Sequence, residues 1–247
     1  RPRERPSNRV HERSKYITKG SIRMTRWLKH FSIFLVAVFA ASNLGHAPST
    51  ASVDDLFEPD FRNGLVMRVE AAIATAQADY GVISTAAAAE INAKATTAFA
   101  PLSDIATEND VVRHRMVALL NVWRRSLSDE AANALHLGVT TVDVYGTVLV
   151  LQVLQSIEVM RAELLALEAD LLCLAEAHKD TPMMGRTLGQ HALPITFGKK
   201  VAVWAAQNRR NIDRLDDVTR RLRSSGVLKG AVGTHLGLGP DAIQIEH

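Results

Sequence analysis

The sequence predicts an all-α protein built as a bundle of long helices. Composition points that way: 47% of residues are hydrophobic and 22% charged, as in an ordinary globular chain, while aromatics make up only 5% and turn-rich β signals are scarce. A helical pattern runs without interruption from about Asp143 to His178, which spans about 54 Å at the α-helical rise. A second covers roughly Ile195 to Ser224.

Taken in order, residues 1–23 are polar, Arg-rich and without periodicity, and read as disorder or as sequence outside the natural start. From Met24 the character changes. Arg26, Lys29 and His30 precede the apolar run Phe31–Ala41, and small residues follow. That is the layout of a secretory signal, with Ala40-Ala41-Ser42 as a cleavage site, and the run is too short to span a bilayer as a helix. A linker, Gly45–Val53, leads into the fold.

Phe61–Tyr80 carries Leu65, Val69, Ile73 and Ala76 on one helical stripe, stopped by Gly81. Ser84 caps a short Ala-rich helix over Thr85–Ala95. Pro101 breaks the chain, and a third helix is expected over Asn109–Ser126, with Val112, Met116, Leu119, Leu120 and Trp123 facing the core. In the long helix, Val148–Leu154 is apolar nearly all round and should be buried on several sides. Its second half places Ile157, Met160, Leu164, Leu167, Leu171 and Leu174 at alternating steps of three and four, a coiled-coil-like seam. Pro182 ends it. After a loop over Thr181–Gly198, the last long helix presents Val201, Trp204, Ile212, Leu215 and Leu222 as its apolar face, with its arginines mostly outward. Three regions result: an arm and linker over 1–53 outside the fold, an N-terminal helical domain over 54–135, and the first part of a central long-helix bundle over 136–247. Seams with so few partners imply oligomerisation or missing sequence, and no closing element is evident after Gly230-Ala-Val-Gly-Thr-His. A fragment, truncated before the end of its bundle, is expected.

Charge excludes one class of partner. The isoelectric point of about 9.2 suggests nucleic acid, but residues 1–30 hold ten Lys/Arg against Glu4 and Glu12. That is +8 in a chain of +3, leaving −5 for residues 31–247. The basicity belongs to the arm and not to a folded face, so no nucleic-acid partner is expected. Cys173 is the only cysteine, which excludes an internal disulfide and a Cys-based zinc cluster.

Two polar knots can carry chemistry. His136-Leu-Gly-Val-Thr-Thr-Val-Asp143 sets an imidazole, a glycine and two hydroxyls before a helix start, where free N–H groups and the positive dipole end suit an anion. Equally, Thr141 or Asp143 can merely cap the helix. In Thr181–Gly198, Arg186 offers a planar fork for a carboxylate, which Thr187 and Gln190 can orient. Alternatively Arg186 pairs with Asp180, the glycines and Pro194 only shape a turn, and His191 is an interior histidine. The two loops are expected to share one end of the bundle and one carboxylate-handling site.

Together, His136-x-Gly-x-Thr-Thr-x-Asp143 and Asp180-Thr-Pro-Met-Met-Gly-Arg-Thr-x-x-Gln-His-Ala-Leu-Pro-Ile-Thr-Phe-Gly198 resemble the fumarase/aspartase superfamily. The similarity runs from about Phe61 to Thr234, and within the superfamily it is to the branch of adenylosuccinate lyase and 3-carboxy-cis,cis-muconate cycloisomerase. It implies a homotetramer whose sites combine regions from three chains, a cytoplasmic location, a small carboxylate substrate, and neither metal nor organic cofactor. The implied reaction is an anti elimination or its reverse, through an aci-carboxylate anion. By position, the resemblance assigns substrate binding to His136, Thr140 and Thr141 in the first motif, to Arg186, Thr187 and Gln190 in the second, and to His114 in Arg113-His-Arg-Met.

Two departures are visible. Leu188 stands where adenylosuccinate lyases carry an acid-catalytic histidine, which favours a cycloisomerase-like member. The Gly-Ser-Ser-x-Met-x-x-Lys-x-Asn loop that supplies the family's serine base is not among the 247 residues, so the catalytic residues themselves are unassigned. The readings in view are therefore a cycloisomerase-like enzyme, an adenylosuccinate lyase, a catalytically inactive helical homologue, or, on Phe31–Ala41 alone, an exported or tethered helical protein.

Overall fold

The structure is a computed structural model and describes residues 52–247. The basic arm, the signal-like run and nearly all of the linker lie outside the described residues. Among those described, the chain is helical apart from one two-stranded hairpin, the all-α bundle expected.

Helix α1, Pro59–Asp79, starts on a proline whose missing N–H costs nothing at that position. It buries Leu65, Val69 and Ile73 as its stripe requires. Helix α2, Thr85–Ala93, is capped as expected by Ser84, whose side chain accepts from Ala87 N at 3.0 Å. Asn92 then ties it to α1 by donating to Ala71 O at 3.2 Å and to Thr75 Oγ1 at 2.9 Å.

The single helix expected over Asn109–Ser126 is instead two, α3 (Leu102–Val112) and α4 (Arg115–Arg124). Arg113 turns left-handed at φ 55°, and the ring of His114 caps α4 by accepting from Val117 N at 3.3 Å. Pro101 opens α3 rather than only breaking the chain, and α3 escaped notice because it buries only Ile105. A further short helix, α5 (Asp129–Ala134), is capped by Ser128. Glu90 reaches across from α2 to accept from Lys94 Nζ at 2.8 Å and from Ser128 N at 3.0 Å. Those bonds, Lys94 first and then Ser128, hold the Glu90 carboxyl down at about 2.

Helix α6, Thr141–Ala177, is 37 residues long. Its first half buries Val144, Val148, Leu151 and Leu154 in a core shared with α1, α2 and α4. Of the seam expected beyond that, only Ile157 is buried; Met160, Leu167 and Leu174 face outward within one chain.

The loop expected over Thr181–Gly198 is a β-hairpin, β1 (Pro182–Thr187) against β2 (Gln190–Thr196), antiparallel with Pro182 opposite Thr196 and Thr187 opposite Gln190. A two-residue turn joins the strands, with Leu188 at φ 51° and Gly189 at φ 77°, the doubly left-handed geometry that matches strand twist. An irregularity between Met184 and Arg186, together with Pro194, breaks the alternation that would have announced two strands.

Helix α7, Phe197–Leu222, returns antiparallel along α6. Arg161 pairs with Asp216 at 2.9 Å, Asn208 donates to Leu164 O at 2.7 Å, and Arg209 forks onto the Glu168 carboxylate. At the hairpin end the helices touch through Gly198, where a Cβ would collide with the carbonyls of Ala175 and His178. Trp204, expected on the buried face, is 44% exposed and carries Lys200 Nζ 5.5 Å from its ring centroid. Val201 and Ile212 are buried on that face as expected.

The segment after Gly230, where no closing element was evident from sequence, packs back onto the fold. After α7 the chain doubles back to the start of α6, and α8 (Ala242–Glu246) with Leu228 and Leu238 joins the core. The anchor is Asp143, 2% exposed, which accepts from Lys229 N at 3.0 Å, Gly230 N at 2.9 Å and Thr140 N at 3.1 Å. His235 and Glu246 close the segment at 2.8 Å.

Candidate functional site at the start of helix α6

The turn before α6 is held from several directions. His136 is left-handed at φ 66°. The carbonyl before it, Leu135 O, accepts from Arg124 Nη2 at 3.0 Å, and the one after it, Leu137 O, accepts from Gln77 Nε2 at 2.8 Å. Its ring nitrogen Nδ1 lies 2.6 Å from Glu70 Oε1. Gly138, at φ 71°, passes so close to the Gly237 carbonyl that no Cβ fits. The loop and the 230–239 segment thus pack backbone to backbone, and Asp143 bonds that segment at Lys229 and Gly230.

This framework leaves Thr140 and Thr141 half-buried at the helix start, where first-turn N–H groups have no acceptor inside the helix. Thr140 is the cap residue and Asp143 takes its backbone N–H, so the bland capping role and an anion-facing helix end coexist. One turn on, Tyr145 lines a cavity of about 320 Å³ with Phe57, Arg62, Val148, Leu149 and Gln152. Burial pushes the Tyr145 hydroxyl up, against the opposing pull of Arg62 and Arg115. Arg115 follows His114, so the start of α4 brings positive charge toward the start of α6. His114 itself is exposed, with Nδ1 engaged in its cap.

The second motif lies elsewhere. Arg186, Thr187, Gln190 and His191 are all exposed on the hairpin, with Arg186 Nη2 3.5 Å from His191 Nε2. Among the described residues Arg186 forms no ion pair with Asp180, and His191 is not interior. Leu188 stands at the tip, fully exposed at 101%. The expectation that the two loops share one end of the bundle is wrong for a single chain. Helix α6 begins directly after one loop and ends just before the other, and its 37 residues hold them about 55 Å apart. Within the chain His136, Thr140 and Thr141 are brought together; Arg186, Thr187 and Gln190 form a separate group.

Glu70, Gln77, Arg124 and the clamping role of Asp143 were not singled out from sequence. A signal existed for two of them: Glu70 and Gln77 fall one heptad apart on the buried stripe of α1, flanking Ile73.

The fold has counterparts among known proteins. A family model described as Lyase matches residues 55–245. The chain belongs to the lyase family of fumarase/aspartase type. Among curated relatives of this lyase-family chain, the adenylosuccinate lyase of Methanocaldococcus jannaschii is 35% identical over 196 residues, covering 79% of the chain and 42% of the relative. Of solved structures, a fumarate lyase from Mesorhizobium sp. BNC1 superposes with a TM-score of 0.73 at 33% identity, over 78% of this chain and 45% of that one. The 3-carboxy-cis,cis-muconate lactonizing enzyme from Pseudomonas putida gives 0.72 at 30% identity, over 83% and 47%. This lyase-family chain thus spans less than half the length of the relatives it matches. No helix among its described residues is long and apolar enough to cross a membrane.

Proposed function

We propose that the chain contributes two separate parts of composite lyase sites that act on a di- or tricarboxylate by anti elimination or its reverse. The observation that carries this reading is the 37-residue helix between the motifs. His136, Thr140 and Thr141 at its start receive one carboxylate, and Arg186, Thr187 and Gln190 reach such a site only on another copy. The exposed Met160, Leu167 and Leu174 supply apolar surface for that association, as a homotetramer. Where negative charge develops on the aci-carboxylate, helix N–H groups, hydroxyls and an arginine fork are the donors that stabilise it. His114 adds to the same side. Neither metal nor organic cofactor enters this scheme, nucleic acid is not a partner, and a cytoplasmic location is proposed with it.

Leu188 favours a 3-carboxy-cis,cis-muconate cycloisomerase-like reaction, because a fully exposed leucine at the hairpin tip transfers no proton. The second reading, an adenylosuccinate lyase releasing fumarate, draws on the 35% identity to the Methanocaldococcus relative. Both need a base, and the serine loop is not among these 247 residues. The test is therefore made on the product of the whole reading frame, assayed with 3-carboxy-cis,cis-muconate and with adenylosuccinate. Turnover of the first alone supports the cycloisomerase-like reading; turnover of the second alone replaces it with the lyase. Turnover of neither, in an assembled protein, points to an inactive homologue.

A further inference from the structure

Glu70 has no role in the scheme above, and its surroundings are the wrong ones for a structural carboxylate. It sits mid-way along α1 at 1% exposure, among Met67, Val69, Ala71, Ile73 and Ala74, all buried. It caps no helix and faces no lysine or arginine among the described ion pairs. One oxygen, Oε2, is buried without any hydrogen-bond partner, a situation that costs free energy wherever nothing offsets it. The other, Oε1, lies 2.6 Å from His136 Nδ1. Among the described residues, the ring of His136 is thus the one hydrogen-bond partner of this buried acid.

The arrangement is asymmetric in a way that matters for the ring. The His136 side chain keeps 18% of its surface exposed while that of Glu70 keeps 1%. Nδ1 points inward to the carboxylate. Nε2, on the far side of the ring, has no hydrogen-bond partner among the described residues and is not buried. The backbone is pinned on both sides by Arg124 and Gln77, which keeps the Cα of His136, and with it the ring, beside the Glu70 carboxylate. An ionised carboxylate can only accept, and therefore demands a hydrogen on Nδ1.

We propose that Glu70 is a positioning residue that keeps Nδ1 of His136 protonated in every state of the ring, making outward-facing Nε2 the nitrogen that gains and loses a proton against a bound carboxylate. A free imidazole does the opposite: its neutral form prefers the hydrogen on Nε2, so the exchanging proton sits on Nδ1. The proposal rests on the reading of His136 as a substrate contact, and that reading can fail independently.

The test uses the 247-residue chain labelled with ¹⁵N, following the histidine ring nitrogens through a pH titration. His136 is assigned by its loss in His136→Gln, and a thermal melt checks that each variant is folded. In the wild type, the Nδ1 resonance should stay in the N–H range while Nε2 moves; the reverse overturns the proposal from the wild-type spectrum alone. In Glu70→Gln the amide can present either its carbonyl or its NH₂ to Nδ1, so the ring should shift toward the ordinary Nε2–H form. Glu70→Leu offers Nδ1 no acceptor at all, and a folded Glu70→Leu that keeps the wild-type pattern overturns the proposal. Fumarate is then titrated as probe. Loss of the charge-assisted bond behind His136 should weaken its binding by about tenfold in Glu70→Gln, and equal affinity in both proteins overturns the proposal. If fumarate binds no variant while the wild-type nitrogens behave as stated, the placement of the proton is supported and the reading of His136 as a carboxylate contact falls.

Discussion

The backbone N–H of Gly230 donates to the carboxylate of Asp143 at 2.9 Å, across 87 positions of the chain. With Lys229 N and Thr140 N on the same carboxylate, one side chain joins the segment after α7 to the start of α6 by three hydrogen bonds, alongside the apolar packing of Leu228 and Leu238.

Asp143→Ala should therefore destabilise the fold by about 3 kcal/mol or more, since three N–H groups lose their acceptor. Asp143→Asn, which keeps one acceptor oxygen, should cost less than the alanine. Urea denaturation checks both; an alanine variant within about 0.5 kcal/mol of wild type would show that the clamp does not hold the segment.

Gly138→Ala places a methyl group against the Gly237 carbonyl, from a residue already at φ 71°. Strain and collision together should cost about 2–4 kcal/mol. Gly146→Ala, in an exposed turn of α6 where a Cβ meets nothing within 4 Å, should instead hold or raise the thermal midpoint. Equal midpoints for the two variants would count against the close approach of the loops.

Glu90 supplies a pH-dependent contribution whose sign is set by its lowered carboxyl, at about 2 against an ordinary 4.5. A depressed acid stabilises the fold fully above its unfolded value, and the contribution is lost as pH falls from 4.5 toward 2. Glu90→Gln should accordingly be less stable than wild type at neutral pH, with the gap closing as pH drops through that window. A gap that stays constant from pH 7 into the acid range would reject the link to Lys94 and Ser128.

Leu188 occupies a left-handed position at φ 51° with its side chain wholly in solvent. Leu188→Asn should stabilise the hairpin, by up to about 1 kcal/mol, because asparagine tolerates this conformation better and nothing packs on the leucine. A lowered melting point would mean that the side chain has a contact in solution, most simply on another copy.

Much of the architecture was readable because helix ends carry their own chemistry. Ser84 marked one start, and the apolar spacing of α1 and α6 marked the long bodies. What escaped depended on groups distant in sequence or on ring geometry. His114 interrupts a helix only because its Nδ1 turns back onto Val117 N, and nothing in the residue type announces that. The hairpin was hidden because both strands are exposed and irregular. The closing segment was invisible because its anchor lies in the first turn of α6. At the candidate site the motif residues His136, Thr140 and Thr141 stood out, whereas Glu70 looked like one more acid on a helix until its burial beside Val69 and Ile73 was known. Placing both motifs at one end of the bundle failed for a simple reason: residue spacing records the order of the loops but not the distance that a straight helix puts between them.

That straight helix makes chain length an angular variable. One residue added in the middle of α6 lengthens it by about 1.5 Å but turns everything beyond by about 100°. The hairpin with Arg186 would swing to another side of the helix pair while His136 stayed where it was. A second and third insertion would carry it further round, and only about seven residues, close to two full turns, would bring it back into phase. Insertions at the Leu188-Gly189 turn carry no such rotation, because the two strands on either side keep their pairing. The number of residues between His136 and Arg186 therefore acts as a phase setting, which a change at the Leu188-Gly189 turn, beyond Arg186, leaves untouched.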